Sequence, residues 1–266
     1  MRGPGGARII ALLTDFGTRD WYAAALKGVI LSRAPEARLV DVTHDIPPQD
    51  VVAGAFTLAA AAPWFPEGTI FLAVVDPGVG GRRALVAVRA DGRYFVGPDN
   101  GLLTLSLQGA KRMTIVELRN QRYWLRAISQ TFHGRDIMAP VAAYLATGRS
   151  LSRLGPRRTR LSQLPLPGAR RHRSGIGGRI LHIDTFGNLI TNLPGRWLRP
   201  GGRRGSARIV FKRRKVRVVS SYGAGRPGEL LALEGSLGWV ELAIRETSAA
   251  RAVGAQRGDP VAIRFG

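Results

Sequence analysis

The sequence predicts an α/β N-terminal domain, a layered sheet with flanking helices, followed by a small all-β C-terminal barrel or sandwich domain. Three observations carry this. From Arg8 to Ala146, short apolar runs alternate with stretches of helical spacing, the pattern of strand–helix layers. Residues 149–175 then turn rich in Arg, Pro, Gly and Ser, with no long periodic stretch. Beyond them come short strand-like runs separated by Gly and Pro turns. The expected bounds are 1–160 for the first domain, 161–174 for a linker and 175–266 for the second.

Residues 8–13 read as a buried strand, with Thr14-Asp15-Phe16-Gly17 as the loop at its C-terminal end. Trp21, Ala24, Ala25, Gly28, Val29 and Leu31 give residues 20–33 helical spacing, and Pro35 lies just past the end. Arg38–Val42 is a second strand, followed by the proline-stiffened loop Thr-His-Asp-Ile-Pro-Pro-Gln-Asp. Asp50–Ala62 is an alanine-rich helix, and Thr69–Val75 a third strand that ends in a glycine loop at 76–81. Leu85–Arg89 and Tyr94–Gly97 form a hairpin on an Asp91-Gly92 turn. Pro98-Asp99-Asn100-Gly101 opens a short helix at 101–107, Thr114–Leu118 is a strand, and Asp136–Ala146 is a helix stopped by Gly148. In the second domain the strands fall at 178–183, 207–211, 215–219, 229–233, 238–244 and 260–264. The chain holds no internal repeat or low-complexity tract.

Composition narrows the function. With 45% hydrophobic and 22% charged residues among 266, the chain can bury a sizeable core. It contains no cysteine, which excludes disulfides and thiolate chemistry. The apolar run from Val51 to Trp64 is too short to span a bilayer, and the N-terminus lacks the apolar core of a signal peptide, so no membrane partner and a cytoplasmic location are expected. A net charge of +22 invites a nucleic-acid reading. Yet only Lys27, Lys111, Lys212 and Lys215 are lysines, and the arginines are spread along the chain. The densest run, Arg203 to Arg217, reads as a solvated hairpin with a basic tip, so nucleic acid is not the expected partner.

The residues that can do chemistry sit in loops. Asp76 leads Pro77-Gly78-Val79-Gly80-Gly81, whose glycine spacing does not fit a dinucleotide fingerprint. Arg83 follows closely, and His133 stands between Phe132 and Gly134. A carboxylate and an imidazole on separate loops could orient and deprotonate a water, with Arg83 beside the first. The competing reading is a capped tight turn and a surface arginine. Asp15, at a strand end, suits a vicinal diol, with a helix N-cap or a loop brace as the alternatives. Asp15-Phe16-Gly17 also occurs in kinases, but the rest of the kinase motif set is missing. Ser129 and Thr131 lie near His133, but no Gly-x-Ser-x-Gly elbow supports a serine hydrolase. His44-Asp45 reads as having a structural hydrogen-bonding role rather than forming a metal site, because no second histidine falls at ligand spacing. Gln49 and Trp64 could wall a pocket. In the second domain Asp184-Thr185-Phe186-Gly187-Asn188 suits an amino-acid zwitterion, with Asp184 for the ammonium; a plain β-turn is the alternative. Ser236 in Gly235-Ser236-Leu237-Gly238 could add a donor for a carboxylate.

Taken in order, these motifs resemble a known family. Leu-Thr-Asp-Phe-Gly at 13–17, Lys-Gly-Val-Ile-Leu at 27–31 and Asp-Val-Thr-His-Asp-Ile-Pro-Pro-Gln-Asp at 41–50 open the match. Val-Asp-Pro-Gly-Val-Gly at 75–80, Val-Gly-Pro-Asp-Asn-Gly-Leu-Leu at 96–103, Thr-Phe-His-Gly-Arg-Asp at 131–136 and Ile-Asp-Thr-Phe-Gly-Asn-Leu-Ile-Thr-Asn at 183–192 complete it. The chain resembles the S-adenosyl-L-methionine (SAM) hydrolases, or SAM hydroxide adenosyltransferases, which are related to SAM-dependent fluorinases and chlorinases. The resemblance implies hydrolysis of SAM to adenosine and L-methionine, with no cofactor and no metal. It puts a water-handling triad on Asp76, Arg83 and His133, the ribose on Asp15, and the methionine end on Asp184, Asn188 and Ser236, with Gln49, Gly134 and Phe186 also at the site. The halogenase relatives carry tyrosine in place of Asp76 and serine in place of Gly134, which implies water rather than halide here. The family usually has Asn-Ser-Ser-Gly where this chain has Gly-Ser-Leu-Gly at 235–238. The resemblance also implies a homotrimer with the site at the subunit interface.

Overall fold

The structure is a computed structural model that describes residues 8–166, 168–173, 175–198 and 207–265. Residues 203–206 of the basic run thus lie outside the described residues. The chain divides into two compact units, Met1–Leu164 and Pro165–Gly266.

The first unit runs β1 (Ile9–Thr14), α1 (Tyr22–Arg33), β2 (Arg38–Thr43), α2 (Val51–Ala61), β3 (Ile70–Val74), β4 (Leu85–Ala90), β5 (Arg93–Pro98), β6 (Met113–Glu117), α3 (Ala139–Ala146) and β7 (Arg157–Arg158). Its sheet has the order β2-β1-β3-β5-β4-β6-β7. Strands β2, β1, β3 and β5 are mutually parallel, whereas β4, β6 and β7 pair antiparallel. Period-two alternation in fully apolar strands covers both faces. Ile10 and Leu12 of β1, with Ile70 and Leu72 of β3, join the core under α1 and α3. Ala11, Leu13, Phe71 and Ala73 join the opposite core, which α2 supplies with Ala53 and Leu58. The result is a three-layer α/β unit.

Two local expectations change. Residues 101–109 form consecutive turns rather than a short helix. Positive φ at Gly101 and Gly109 and an Asn100 side chain accepting from the Leu102 amide at 3.1 Å favour turn geometry there. The helix expected at 136–146 starts instead as a π turn, Gly134–Met138, before α3 begins. Among the described residues no helix is long and apolar enough to cross a membrane.

The second unit contains β8 (Arg170–His172), β9 (Gly175–Ile183), β10 (Leu189–Pro194), β11 (Ala207–Phe211), β12 (Arg214–Val218), β13 (Leu230–Glu234), β14 (Trp239–Ile244), α4 (Ala249–Val253) and β15 (Pro260–Phe265). Its sheet order is β10-β14-β13-β12-β11-β15-β9-β8, and β10 also pairs with β9. That last pairing closes the sheet, so the domain is a barrel rather than a sandwich. Its interior holds Ile180, Leu189, Ile209, Phe211, Leu242 and Ile263. Strand β10 was not among the strands expected from sequence, because its residues directly follow the Gly187-Asn188 turn and end in proline.

Candidate active site

Strands β1 and β3 are parallel neighbours with Thr14 opposite Val74, so the loops after them meet at their shared C-terminal edge. Asp15 follows β1 and Asp76 lies just past β3. Gly80 then draws the 76–83 loop against the segment before α3. It has φ 78°, and a Cβ there would come within 2.6 Å of the Gln130 carbonyl oxygen. Gly134 sits close under the same crevice; its absent Cβ would meet Val74 at 3.3 Å and Phe16 at 3.5 Å. The segment is held from below by Asp136, which is fully buried and accepts from Arg135 at 2.6 Å and the Ser129 amide at 2.7 Å.

Arg83 ties the two chemical loops together. Its Nε donates to both Asp76 oxygens at 2.9 and 3.0 Å, and Nη2 donates to Oδ2 at 2.5 Å. The same Nη2 donates to His133 Nδ1 at 3.0 Å. A guanidinium can only donate, so Nδ1 must be an acceptor and the neutral ring carries its proton on Nε2. Burial, and next the Arg83 charge, push the His133 pKa below its usual value, which keeps the ring neutral. With the Arg83 and Asp76 side chains 10% and 5% exposed, this is a desolvated, preorganised network.

A cavity of about 170 Å³ lies over it, lined by Asp15, Gln49, Asp76, His133, Gly134 and neighbours. Asp15 accepts from the Gln49 amide at 2.8 Å. Burial raises the Asp15 pKa, opposed by that hydrogen bond and reinforced by the Asp76 charge. Phe16 and Phe132 also line the cavity, their rings 5.5 Å apart, and Phe132 continues to Trp21 and Tyr22 at 5.8 and 5.3 Å. His44 stands behind β1, bonded to Thr14 at 2.8 Å and Asp41 at 3.1 Å, which makes it a brace. Trp64 is exposed.

The remaining sequence candidates belong to the barrel unit. Asn188 donates to both Asp184 oxygens, at 2.8 Å from its amide and 3.0 Å from Nδ2. Phe186 is 79% exposed, and Ser236 lies exposed in the β13–β14 turn. Sequence reasoning missed Glu241 and Tyr222 beside them. The Tyr222 hydroxyl donates to Glu241 Oε1 at 2.5 Å. Burial, and then the Asp184 charge, raise the Glu241 pKa. Glu241 occupies a polar position in an alternating strand, which reads as solvent-facing. In the fold Tyr222 and the Gly235 turn cover it.

The profile of the SAM hydroxide adenosyltransferase N-terminal domain matches residues 10–155, and that of the C-terminal domain matches residues 178–262. The chain belongs to the SAM hydroxide adenosyltransferase family. Among its relatives, an (R)-S-adenosyl-L-methionine hydrolase of Salinispora tropica is 42% identical over 97% of this chain and 98% of its own length. One from Thermus thermophilus is 40% identical over 96% and 99%. A fluorinase of an Actinoplanes species is more distant, at 31% identity over 71% and 72%. The crystal structure of an uncharacterized conserved protein from Thermotoga maritima superposes with a TM-score of 0.89 at 34% identity, over 96% of this chain and 99% of that one.

Proposed function

We propose that this SAM hydroxide adenosyltransferase family member hydrolyses SAM to adenosine and L-methionine by in-line attack of water on C5′. The observation that carries the reading is the Arg83 bridge, which fixes Asp76 and His133 at one cavity containing Asp15. The names of its nearly full-length relatives support the same reaction.

In this reading SAM is the substrate and no cofactor enters. The C5′–S bond breaks as the C5′–O bond forms, and methionine leaves as a neutral thioether that needs no acid. A water held in line gains up to about 7–11 kcal/mol from near-attack geometry. His133 orients that water through Nε2–H, because Arg83 occupies Nδ1. As the new bond forms, the water oxygen becomes a strongly acidic oxonium, so even a weak base suffices to take its proton. Asp76 is that base: it lines the cavity, and its oxygens keep lone pairs beyond those Arg83 engages. The proton acceptor is therefore Asp76, with His133 positioning, rather than the two sharing the task. Phe16 and Phe132 provide a weakly polar wall that favours loss of sulfonium charge.

Asp15 receives the ribose hydroxyls, while Asp184, Asn188, Phe186 and Ser236 serve the methionine end. A 170 Å³ cavity is below the range of about 300–1,000 Å³ for sites that enclose a small ligand, which supports a site completed by another surface. The working form in this reading is a homotrimer in the cytoplasm, with SAM at the subunit interface. Two carboxylates at the cavity disfavour a halide nucleophile. The test is incubation with SAM with and without chloride. Adenosine and methionine in equal amounts, unaffected by chloride, are expected; chloride-dependent 5′-chloro-5′-deoxyadenosine would replace this reading with a halogenase.

A further inference from the structure

The barrel carries a second concave surface, built of residues unrelated to the Asp184 group. Strand register sets Val210 of β11, Ala262 of β15 and Gly177 of β9 side by side, with Arg170 of β8 next to Gly177. Their neighbours Ile209, Val261, Ile263 and Ile176 fill the barrel core, so alternation puts this row on the outer face. Above this floor of small residues lies a cleft of about 620 Å³, rimmed by Arg170, His172, Arg179, Lys212, Arg213 and Arg264. Among the described residues no acidic side chain lines it. The rim converges from β8, β9, β15 and the β11–β12 turn, so it is not one basic run of sequence.

Part of the rim is fixed in place. Lys212 donates to the Val253 carbonyl at 3.1 Å and to the Gly254 carbonyl, and lies 3.4 Å from Asp259. Arg179 donates to the Gly258 carbonyl at 2.8 Å. Arg170 and Arg213 are exposed, and no side-chain hydrogen bond or ion pair engages them among the described residues. Lys212 and Arg213 have φ of 46° and 63°, in a two-residue hairpin loop that favours Asn-Gly. Two cations at those positions conflict with the turn's own preference, a mark of function more than of folding.

We propose that this cleft binds a compact, multiply charged phosphate anion of about nucleotide size. Its volume falls within the range of about 300–1,000 Å³ typical of small-ligand sites. Guanidinium forks match phosphate oxygens. Among the described residues no Phe, Tyr or Trp lines the cleft and His172 is its one aromatic ring, so the phosphates rather than stacked bases carry recognition. The proposal does not depend on the SAM reading.

The test is calorimetric titration of the full chain with inorganic triphosphate, in parallel with a mixed-sequence DNA duplex. One triphosphate per chain is expected. Binding should weaken about tenfold or more in Arg170→Gln/Arg213→Gln, which loses two charge-assisted contacts. Arg38→Gln/Arg112→Gln removes the same charge from exposed positions of the first unit and should stay within about twofold. Both variants should keep the parental melting temperature and SAM turnover. The proposal is overturned by absence of saturable triphosphate binding, by equal weakening in the control pair, or by binding of the duplex alone. A change of oligomeric mass in the Arg170/Arg213 variant would also overturn it, by assigning the face to a subunit contact.

Discussion

Replacing Arg83 by lysine keeps the positive charge and removes the fork. In the parent, Nε and Nη2 reach both Asp76 oxygens at 2.5–3.0 Å while Nη2 also reaches His133 Nδ1 at 3.0 Å. A lysine ammonium is a point donor on a flexible stem and cannot hold both groups in one plane. Asp76 keeps a counter-charge, so the stability cost should be about 1–3 kcal/mol, below the 3–5 kcal/mol of an orphaned buried ion. The catalytic cost should be larger. With Nδ1 no longer obliged to accept, the His133 proton is free to move there, and the water loses its Nε2–H donor. We expect kcat to fall about 10²–10³-fold, equivalent to about 2.7–4 kcal/mol at about 1.36 kcal/mol per decade. KM for SAM should stay within about threefold, because in the proposed mechanism Arg83 acts through Asp76 and His133 on the water and not on bound SAM. Steady-state adenosine release, with a thermal melt of each protein, reads both effects. A kcat within about threefold of the parent, or a change confined to KM, would refute the bridge as the device that positions water.

Three further outcomes follow from the same geometry. Asp15→Ala should raise KM by about tenfold or more with little change in kcat, as the ribose loses a charged acceptor; an unchanged KM would remove Asp15 from the site. The kcat/KM profile should decline in acid with a midpoint below about 6.5, because burial and the Arg83 charge lower the His133 pKa and the neutral ring is the working form. The same group favours unfolding as pH falls below its unfolded value, since the unfolded ring binds the proton first, so a midpoint at or above 6.5 would contradict the neutral-ring assignment. Glu241→Gln relieves repulsion from Asp184, so the melting temperature should hold or rise, while loss of a negative charge beside Asp184, the group proposed for the methionine end, should raise KM about tenfold. A lower melting temperature with unchanged KM would make Glu241 purely structural.

Much of the fold was legible because it follows from local pattern. The apolar runs within 9–13 and 70–75 read as strands, that at 9–13 as a buried one, and Asp15 and Asp76 follow as acids of the loops at their ends. What escaped depended on tertiary closure. Strand β10 looked like the tail of a turn, yet its pairing with β9 closes the barrel. The Arg83–His133 contact spans 50 residues of sequence, and spacing alone cannot show which nitrogen accepts. Glu241 was hidden because alternation predicts exposure, whereas a tyrosine from a distant turn covers it. The cationic cleft was invisible for the same reason, since its rim assembles from separate strands whose register the sequence does not state.

The central claim is that water held by Asp76, Arg83 and His133 attacks C5′ of SAM. The most direct measurement is turnover of SAM in ¹⁸O-labelled water with mass analysis of both products. Adenosine labelled at its 5′-oxygen, together with an equal amount of unlabelled methionine, is the predicted result. Unlabelled adenosine, a 5′-halogenated product, or bound SAM that never turns over would contradict it.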